Sequence, residues 1–362
     1  MRLTTFAAGI LAAGLSCGPI LGLTGFPPAE AAAQAVSNAQ NPSNQPAQQG
    51  QPGNQEQQNQ KGQQPLRVQV NLVNVFATVR DKHKGIVSNL KQEDFKILED
   101  GQEQKVAYFS KDVDLPITLG LLIDTSGSMD RVLPAEQDAA TRFLREVMRP
   151  KDLTMVINFD LDANLIADFT QDVSVLERAI RGTQMNSPPA GIGGTPGTIP
   201  NSGGGTVLYD AIYLACHDEL ATEAGRKAAI VLTDAVDEGS RLRVQDAIEA
   251  AQRADAVIHV LLISDPGVYG FGGFGNPGPS VARKMAEETG GRVIDVHNQK
   301  SIEKAFDEIS EELRSQYVLG YYPTNSKRDG SFRKIQVEVN QPDTKVLARK
   351  GYYAPGPGRS RD

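Results

Sequence analysis

The sequence predicts an α/β protein: a doubly wound, mostly parallel six-stranded sheet with helices on both faces, plus a small antiparallel β-sandwich built from the flanking segments. Between residues 113 and 322, apolar runs of strand length alternate with amphipathic helical stretches, which is the order of a parallel sheet. The run Ile117–Ile123 is mostly apolar and reads as a strand buried on both faces. The flanks, residues 66–112 and 323–355, instead alternate apolar and polar residues with period two.

The central segment divides into alternating elements. The predicted strands are Ile117–Ile123, Thr154–Phe159, Leu165–Phe169, Ala228–Leu232, Ala256–Ile263 and Arg292–Val296. The predicted helices are Pro134–Val147, Val173–Ile180, Val207–Leu220, Val244–Ala254, Ser280–Thr289 and Ile302–Leu313. The short link between the second and third strands permits a hairpin, so one antiparallel edge strand is expected. Right-handed crossovers then bring the loops that follow the parallel strands to one carboxyl edge.

The two flanks share one pattern. Val73, Val75 and Ala77 alternate with polar or aromatic residues in the first, and Ile335 and Val337 do so in the second. Either flank alone is small for a stable sandwich. We therefore predict that residues 66–112 and 323–355 form one β-sandwich interrupted by the α/β domain, the alternative being two separate small β appendages.

The chain begins with an export signal, predicted over residues 1–33, in which an uncharged apolar core ends in small residues. Residues 34–65, rich in Gln, Asn and Pro, are predicted to be a disordered linker, and residues 356–362 a tail. Retention of the leader as an N-terminal membrane anchor, or lipidation at Cys17, are the alternatives to cleavage. Each alternative implies a secreted or extracytoplasmic protein, in the periplasm or cell envelope.

Composition narrows the classes of function. The chain has 362 residues, 40% of them hydrophobic, which suffices for a sizeable core. Its net charge of −7 argues against a nucleic-acid-binding surface. Of its two cysteines, Cys17 lies in the leader, so we expect Cys216 to be a lone buried thiol without a disulfide.

The turn after the first buried strand contains the candidate functional side chains. Asp124, Ser126 and Ser128 are spaced by two residues, and Gly127 lets the backbone turn tightly. One carboxylate and two hydroxyls on such a turn suit a small hard cation, and Mg²⁺ is the natural candidate. The alternative is a turn that only caps the following helix.

The sequence Asp124-Thr125-Ser126-Gly127-Ser128 resembles the D-x-S-x-S signature of von Willebrand factor type A (VWA) domains, which have a Rossmann-like fold. The resemblance implies a metal-ion-dependent adhesion site (MIDAS). Its further ligands would be Thr206, which follows a run of glycines, and Asp234, which closes a buried run. Ala235 departs from the glycine that often follows the last aspartate of the family. The implied ion is Mg²⁺, with Mn²⁺ or Ca²⁺ as alternatives.

The resemblance also implies a function. Asp124, Ser126 and Ser128 would bind the ion directly, Thr206 and Asp234 directly or through water, and a protein partner would supply an Asp or Glu carboxylate. The chain would then be a non-catalytic, extracytoplasmic protein-binding or adhesion module. One alternative is a structural or assembly envelope protein with a fold-stabilising metal; a weaker one is a metal-dependent hydrolase.

Catalysis has little support in the sequence. A phosphatase-like D-x-D pattern would need an acid where Ser126 stands, and no phosphate-binding P-loop occurs. The four histidines, His83, His217, His259 and His297, show no metal-ligand spacing. His259 lies inside a predicted buried strand and is interpreted as a satisfied core residue.

Several points stay open at this stage: the partner, the resting metal, the oligomeric state and the fate of the leader. Two Gly/Pro-rich loops, residues 183–205 and 265–279, are also open in role. The second contains Tyr269, Phe271 and Phe274, which could contact a partner, although an insertion without a ligand explains either loop equally well.

Overall fold

A computed structural model describes residues 72–111, 115–185, 205–263 and 277–356. All of them belong to one compact unit, Arg67–Asp362. The predicted export signal, the linker, the tail beyond residue 356 and most of the two Gly/Pro-rich loops, with Tyr269, Phe271 and Phe274, lie outside the described residues.

The elements are numbered in chain order. The strands are β1 Val73–Asp81, β2 Phe95–Glu99, β3 Gln102–Gln104, β4 Val106–Ser110, β5 Ile117–Asp124, β6 Leu153–Phe159, β7 Ala163–Thr170, β8 Arg226–Thr233, β9 Ala256–Ile263, β10 Val293–Val296, β11 Tyr317–Tyr321, β12 Phe332–Val339, β13 Thr344–Ala348 and β14 Gly351–Tyr353. The helices are α1 Leu133–Val147, α2 Val173–Gly182, α3 Leu208–Tyr213, α4 Val244–Arg253, α5 Gly278–Thr289 and α6 Gln299–Arg314.

The central sheet has six strands in the order β10-β9-β8-β5-β6-β7. All neighbours are parallel except β7, which pairs antiparallel with β6 at one edge, as the short link predicted. Every residue of β5 is buried, because helices cover both faces of the sheet and two separate apolar clusters fill the layers. The predicted fold class is confirmed: a mostly parallel six-stranded sheet with helices, plus antiparallel sheets.

The helix boundaries agree closely with those predicted from the sequence, except at one place. The stretch predicted as one helix, Val207–Leu220, is α3 followed by a π-helical segment, Leu214–Glu219, and a 3₁₀ turn, Leu220–Thr222. The π-helical segment is only about one turn long, so its slightly wider i→i+5 turn leaves the apolar pattern close to that of an α-helix.

Two four-stranded antiparallel sheets, β13-β1-β11-β4 and β14-β12-β2-β3, form a β-sandwich. Strand β1 pairs with β13, and β2 pairs with β12, so each sheet contains strands from both flanks of the chain. One apolar cluster lies between the sheets, and Phe95, Tyr317 and Tyr321 are its large members. The two flanks therefore share a core.

Strand β11 differs from the predicted partition. The sequence assigned Tyr317–Tyr321 to the segment 113–322, but this strand pairs antiparallel with β1 and β4 in the sandwich. The α/β part thus ends with α6. Ser110 of β4 lies opposite Val318 of β11, so the chain leaves and rejoins the sandwich at neighbouring positions.

Charged side chains join the sandwich to the α/β part. Arg80 of β1 donates from Nε to Oε1 of Glu312 on α6 over 2.7 Å, and Glu312 is buried. Arg292, ahead of β10, lies 2.7 Å from the same carboxylate. Arg349 forms an ion pair with Asp255, and the guanidinium of Arg253 lies 4.0 Å from the centre of the Tyr353 ring. Within the described ranges, no helix is long and apolar enough to cross a membrane.

Candidate metal centre

The first loop of the site follows β5. Asp124 is the last residue of this strand, and a 3₁₀ turn, Gly127–Met129, comes directly after it. The backbone N–H of Ser126 donates to Asp124 Oδ1 over 3.0 Å, which turns the chain back over the carboxylate. The hydroxyls of Ser126 and Ser128 lie 3.1 Å apart. Three oxygen-bearing side chains of the predicted set are therefore close together.

The second predicted acid, Asp234, lies at the end of the neighbouring strand. β8 pairs with β5, and Asp234 follows its last residue, Thr233. Thr233 Oγ1 donates to Asp124 Oδ2 over 2.6 Å and accepts the N–H of Ala235 over 3.0 Å. Sequence analysis did not single out Thr233. Its position at the end of a strand beside β5 was the available signal, since such residues meet at the carboxyl edge.

Thr206 lies in a third loop, ahead of α3, and is buried. Its carbonyl accepts the N–H of Glu238 over 3.1 Å, which ties this loop to the one that carries Asp234. The next residue, Val207, donates its N–H to the carbonyl of Asp160 over 2.8 Å. The Asp160 side chain accepts from Thr125 Oγ1 over 3.4 Å. Asp160, which the sequence analysis passed over, thus links the Thr206 loop to the turn at Asp124.

These contacts bring the three loops to one edge of the sheet. Asp124, Ser126 and Ser128 are joined by short contacts, Asp234 is reached through Thr233, and Thr206 through Glu238 and Asp160. Direct metal ligation by the five residues stays a prediction.

The electrostatics of the site are dominated by buried acidic side chains, whose charged forms are disfavoured by burial. Burial, and next the charge of Asp234, raise the pKa of Asp124 to about 7, although hydrogen bonds from Ser126 and Thr233 partly oppose this. Glu136, in the first turn of α1, is completely buried. Burial and the charges of Asp124 and Asp234 hold the pKa of Glu136 well above its usual range.

This donor set fits a hard divalent cation. Carboxylate and hydroxyl oxygens are the ligands that Mg²⁺ and Ca²⁺ prefer, and a cation would offset the charge that burial makes costly. Both oxygens of Asp124 accept a hydrogen bond, yet each retains a lone pair for a metal. Within the part of the chain that the structure describes, no three His, Cys, Asp or Glu side chains group closely enough to hold an ion by themselves. A cation at this edge would therefore need further oxygen ligands, which the hydroxyls could supply.

The backbone of the third loop is unusual at Ala235. This buried residue has φ +59°, a left-handed conformation that favours glycine. Nearby, Gly278 at the start of α5 approaches the same loop so closely that an added Cβ would lie 2.8 Å from the carbonyl oxygen of Asp234. The loop is thus held by α5 from one side.

Asp237, three residues after Asp234, makes hydrogen bonds next to the site. It accepts the hydroxyl of Ser240 over 2.6 Å and, more weakly, the N–H of Tyr209 at the start of α3 over 3.3 Å. Asp237 therefore caps a helix next to the site.

Two predicted core residues are buried. Burial raises the pKa of the Cys216 thiol to about 12, so the thiol is unreactive, and Cys216 is free as predicted. Burial lowers the pKa of His259 to about 4. The core position of His259 is confirmed, and its Nδ1 lies 3.7 Å from Oε2 of Glu312, but neither ring nitrogen has a hydrogen-bond partner among the described residues.

The fold and this edge together define a class: a doubly wound α/β domain with an acidic, hydroxyl-rich site where its parallel strands end. Residues 119–236 match the model of the von Willebrand factor type A domain family. The chain therefore contains a von Willebrand factor type A domain, a type of protein-interaction and adhesion module. No curated protein matches the chain.

Several solved structures resemble the chain. The conserved hypothetical protein BatB from Bacteroides thetaiotaomicron is 21% identical, with a TM-score of 0.42, over 55% of this chain and 100% of that one. A von Willebrand factor type A protein from Catenulispora acidiphila is 12% identical, with a TM-score of 0.43, over 80% and 75% of the two chains. The vWF domain of the type V pili tip protein Mfa5 from Porphyromonas gingivalis is 14% identical, with a TM-score of 0.39, over 54% and 94%.

Proposed function

We propose that this chain is a non-catalytic, extracytoplasmic protein-binding module that captures an acidic group of a partner through a divalent cation, preferably Mg²⁺, at the Asp124 edge. The observation that carries the proposal is the buried carboxylate of Asp124, whose charge is disfavoured by burial and by Asp234, beside hydroxyls 3.1 Å apart. A cation relieves this charge. The extracytoplasmic location rests on the apolar leader alone.

Each residue of the site would have a distinct role. Asp124 would contribute the direct negative charge, held in orientation by Ser126 N–H and Thr233 Oγ1. Ser126, Ser128 and Thr206 would add neutral oxygens, and Asp234 a second carboxylate, directly or through water. A divalent cation with so many neutral ligands supplies a Lewis-acid position that an Asp or Glu from another protein can fill.

An exposed apolar side chain lies beside this edge. Leu161, in the β6–β7 hairpin, is 50% exposed, and an added Cβ on Gly205 would lie 3.1 Å from its Cδ2. Gly205 precedes Thr206. An apolar side chain next to a charged contact is a common arrangement in protein interfaces, so Leu161 is proposed as a contact that adds partner specificity.

Titration calorimetry with Mg²⁺ and Mn²⁺ tests the ion site directly. The wild-type chain should bind one ion, and Asp124→Asn should abolish binding. Asp138→Asn is a matched control, because Asp138 is an exposed carboxylate on α1. Equal ion binding by the wild type and Asp124→Asn would refute the site.

Partner capture tests the function. The wild-type chain should retain an envelope protein on a resin in Mg²⁺ and release it in chelator, and Leu161→Ser should weaken retention while ion binding is unchanged. Retention that persists in chelator would instead favour a fold-stabilising metal. Hydrolysis of a generic phosphoester that Asp124→Asn abolishes would favour an enzyme.

A further inference from the structure

Glu136 is a buried acid to which no described residue donates a hydrogen bond. It lies in the first turn of α1, the helix that follows the Ser126–Ser128 turn, and its exposure is 0%. Neither carboxylate oxygen has a hydrogen-bond partner among the described residues. A buried carboxylate in this state is among the costliest arrangements in a protein interior.

The packing around Glu136 does not explain why an acidic residue occupies this position. The other buried residues of α1 are apolar except Thr141, so Glu136 interrupts the stripe that faces the sheet. The charges that act on it are those of Asp124 and Asp234, and both are negative. An apolar residue would pack better in this stripe, whereas a cation at the site would favour the ionised carboxylate.

The geometry points to Glu136 as a buried counter-charge of the cation site, a positioning residue that acts from the first turn of α1. This inference rests on the proposed function and deepens it. Because no group of three acidic or other ligating side chains among the described residues can hold an ion alone, Glu136 is assigned to act through Asp124, Asp234 or a bound water. Its charge would strengthen cation binding without replacing a hydroxyl ligand.

This role predicts opposite effects on two properties of one variant. Glu136→Gln keeps the size of the side chain and removes the charge. In chelator it should unfold at a higher temperature than the wild type, because the wild type must either bury the charge of Glu136 or take up a proton when it folds. In calorimetry its Kd for Mg²⁺ should rise by about 10–100-fold, the usual effect of losing an outer-shell partner of a metal.

Two further variants sharpen the test. Glu136→Leu should behave like Glu136→Gln, since it also removes the charge while filling the apolar stripe. Glu146→Gln, which neutralises an exposed acid on the same helix, should change neither property.

The outcomes separate this inference from the proposed function. If the wild type binds Mg²⁺ and Glu136→Gln binds it equally well, Glu136 has no part in the site, whereas the proposed function stands. A lower unfolding temperature of Glu136→Gln in chelator would show a purely structural acid and also overturn the inference. If the wild type binds no Mg²⁺, both the inference and the proposed function fail.

Discussion

One residue, Ala235, has a backbone conformation that costs free energy. Its φ of +59° lies in the left-handed region, and the residue is buried directly after the predicted ligand Asp234. The left-handed conformation costs an L-residue roughly 1–2 kcal/mol relative to the right-handed one. Strain of this kind persists where the surrounding structure holds the backbone, here through Thr233 Oγ1 and α5.

Ala235→Gly should therefore stabilise the protein. Glycine adopts positive φ without the Cβ clash, but it also loses more backbone entropy on folding, so we expect a net gain of about 0.5–1 kcal/mol in the free energy of unfolding. Chemical denaturation in chelator measures it. The same change at Ala229 in β8, where no such strain exists, should destabilise the protein instead. A lower free energy of unfolding for both glycine variants would contradict backbone strain at Ala235.

The pKa of Asp124 makes the stability of the metal-free protein depend on pH. The folded-state pKa of about 7 exceeds the reference value of 3.8, so the folded state retains a proton that the unfolded state releases. Stability should fall as pH rises from about 4 to about 7, by on the order of 4 kcal/mol for this shift. The fall should level off above that range.

Denaturation in chelator across this pH range checks the slope. Asp124→Asn should give a shallower slope, with some dependence left because Glu136 acts in the same direction. Added Mg²⁺ should restore wild-type stability at neutral pH and leave the variant unchanged. A flat wild-type profile in chelator would contradict the assignment.

At the scale of the element, α5 shapes the third loop of the site. Its first residue, Gly278, would place a Cβ 2.8 Å from the carbonyl of Asp234 and 2.9 Å from that of Ala235. Those atoms belong to the backbone and cannot rotate away. The packing of this helix thus depends on the absence of a side chain.

Gly278→Ala should lower the free energy of unfolding by about 1–3 kcal/mol, the usual cost of overpacking. It should also weaken Mg²⁺ binding, because the displaced backbone carries Asp234. Gly182→Ala is the matched control, since Gly182 ends α2 and an added Cβ there meets nothing within 4 Å. It should leave stability equal or slightly higher. Equal behaviour of the two variants would refute the close approach.

Elements also show how far the sequence alone could lead. The six mostly parallel strands and the antiparallel β7 followed from apolar runs and one short link, whereas the order of the strands is known only from the structure. Glu136 was overlooked although it stands among apolar residues at helical spacing in α1, which was the signal available. Contacts between loops, such as that of Asp160 with Thr125, depend on side-chain geometry that no periodicity encodes.

At the scale of the whole molecule, Glu312 connects the two parts. It is buried on α6 and accepts from Arg80 of the sandwich, while Arg292 lies against the same carboxylate. The assignment of β11 was wrong in the sequence analysis for a related reason. A short apolar run after a helix fits a parallel sheet or a sandwich equally well, and only its partners β1 and β4 decide.

Arg80→Ala should destabilise the protein by about 1.5–3 kcal/mol, the range for hydrogen bonds to charged groups, since Arg292 still compensates Glu312. Urea unfolding measures this change. Lys82→Ala is the control, because the Lys82–Asp343 pair is exposed and 3.7 Å apart, and should shift stability by less than about 0.5 kcal/mol. An equal, small effect of both would show that Arg80 does not couple the two parts.

The register of β1 with β11 has a mechanical consequence. Val73, at the start of β1, lies opposite Tyr321, whereas Tyr317, where β11 continues from the α/β part, lies opposite Ala77. A pull between the chain ahead of β1 and a partner held by the α/β part would therefore act on opposite ends of this ladder. The hydrogen bonds between β1 and β11 would then be loaded together in shear instead of breaking one after another. Such a geometry resists force applied along the strands.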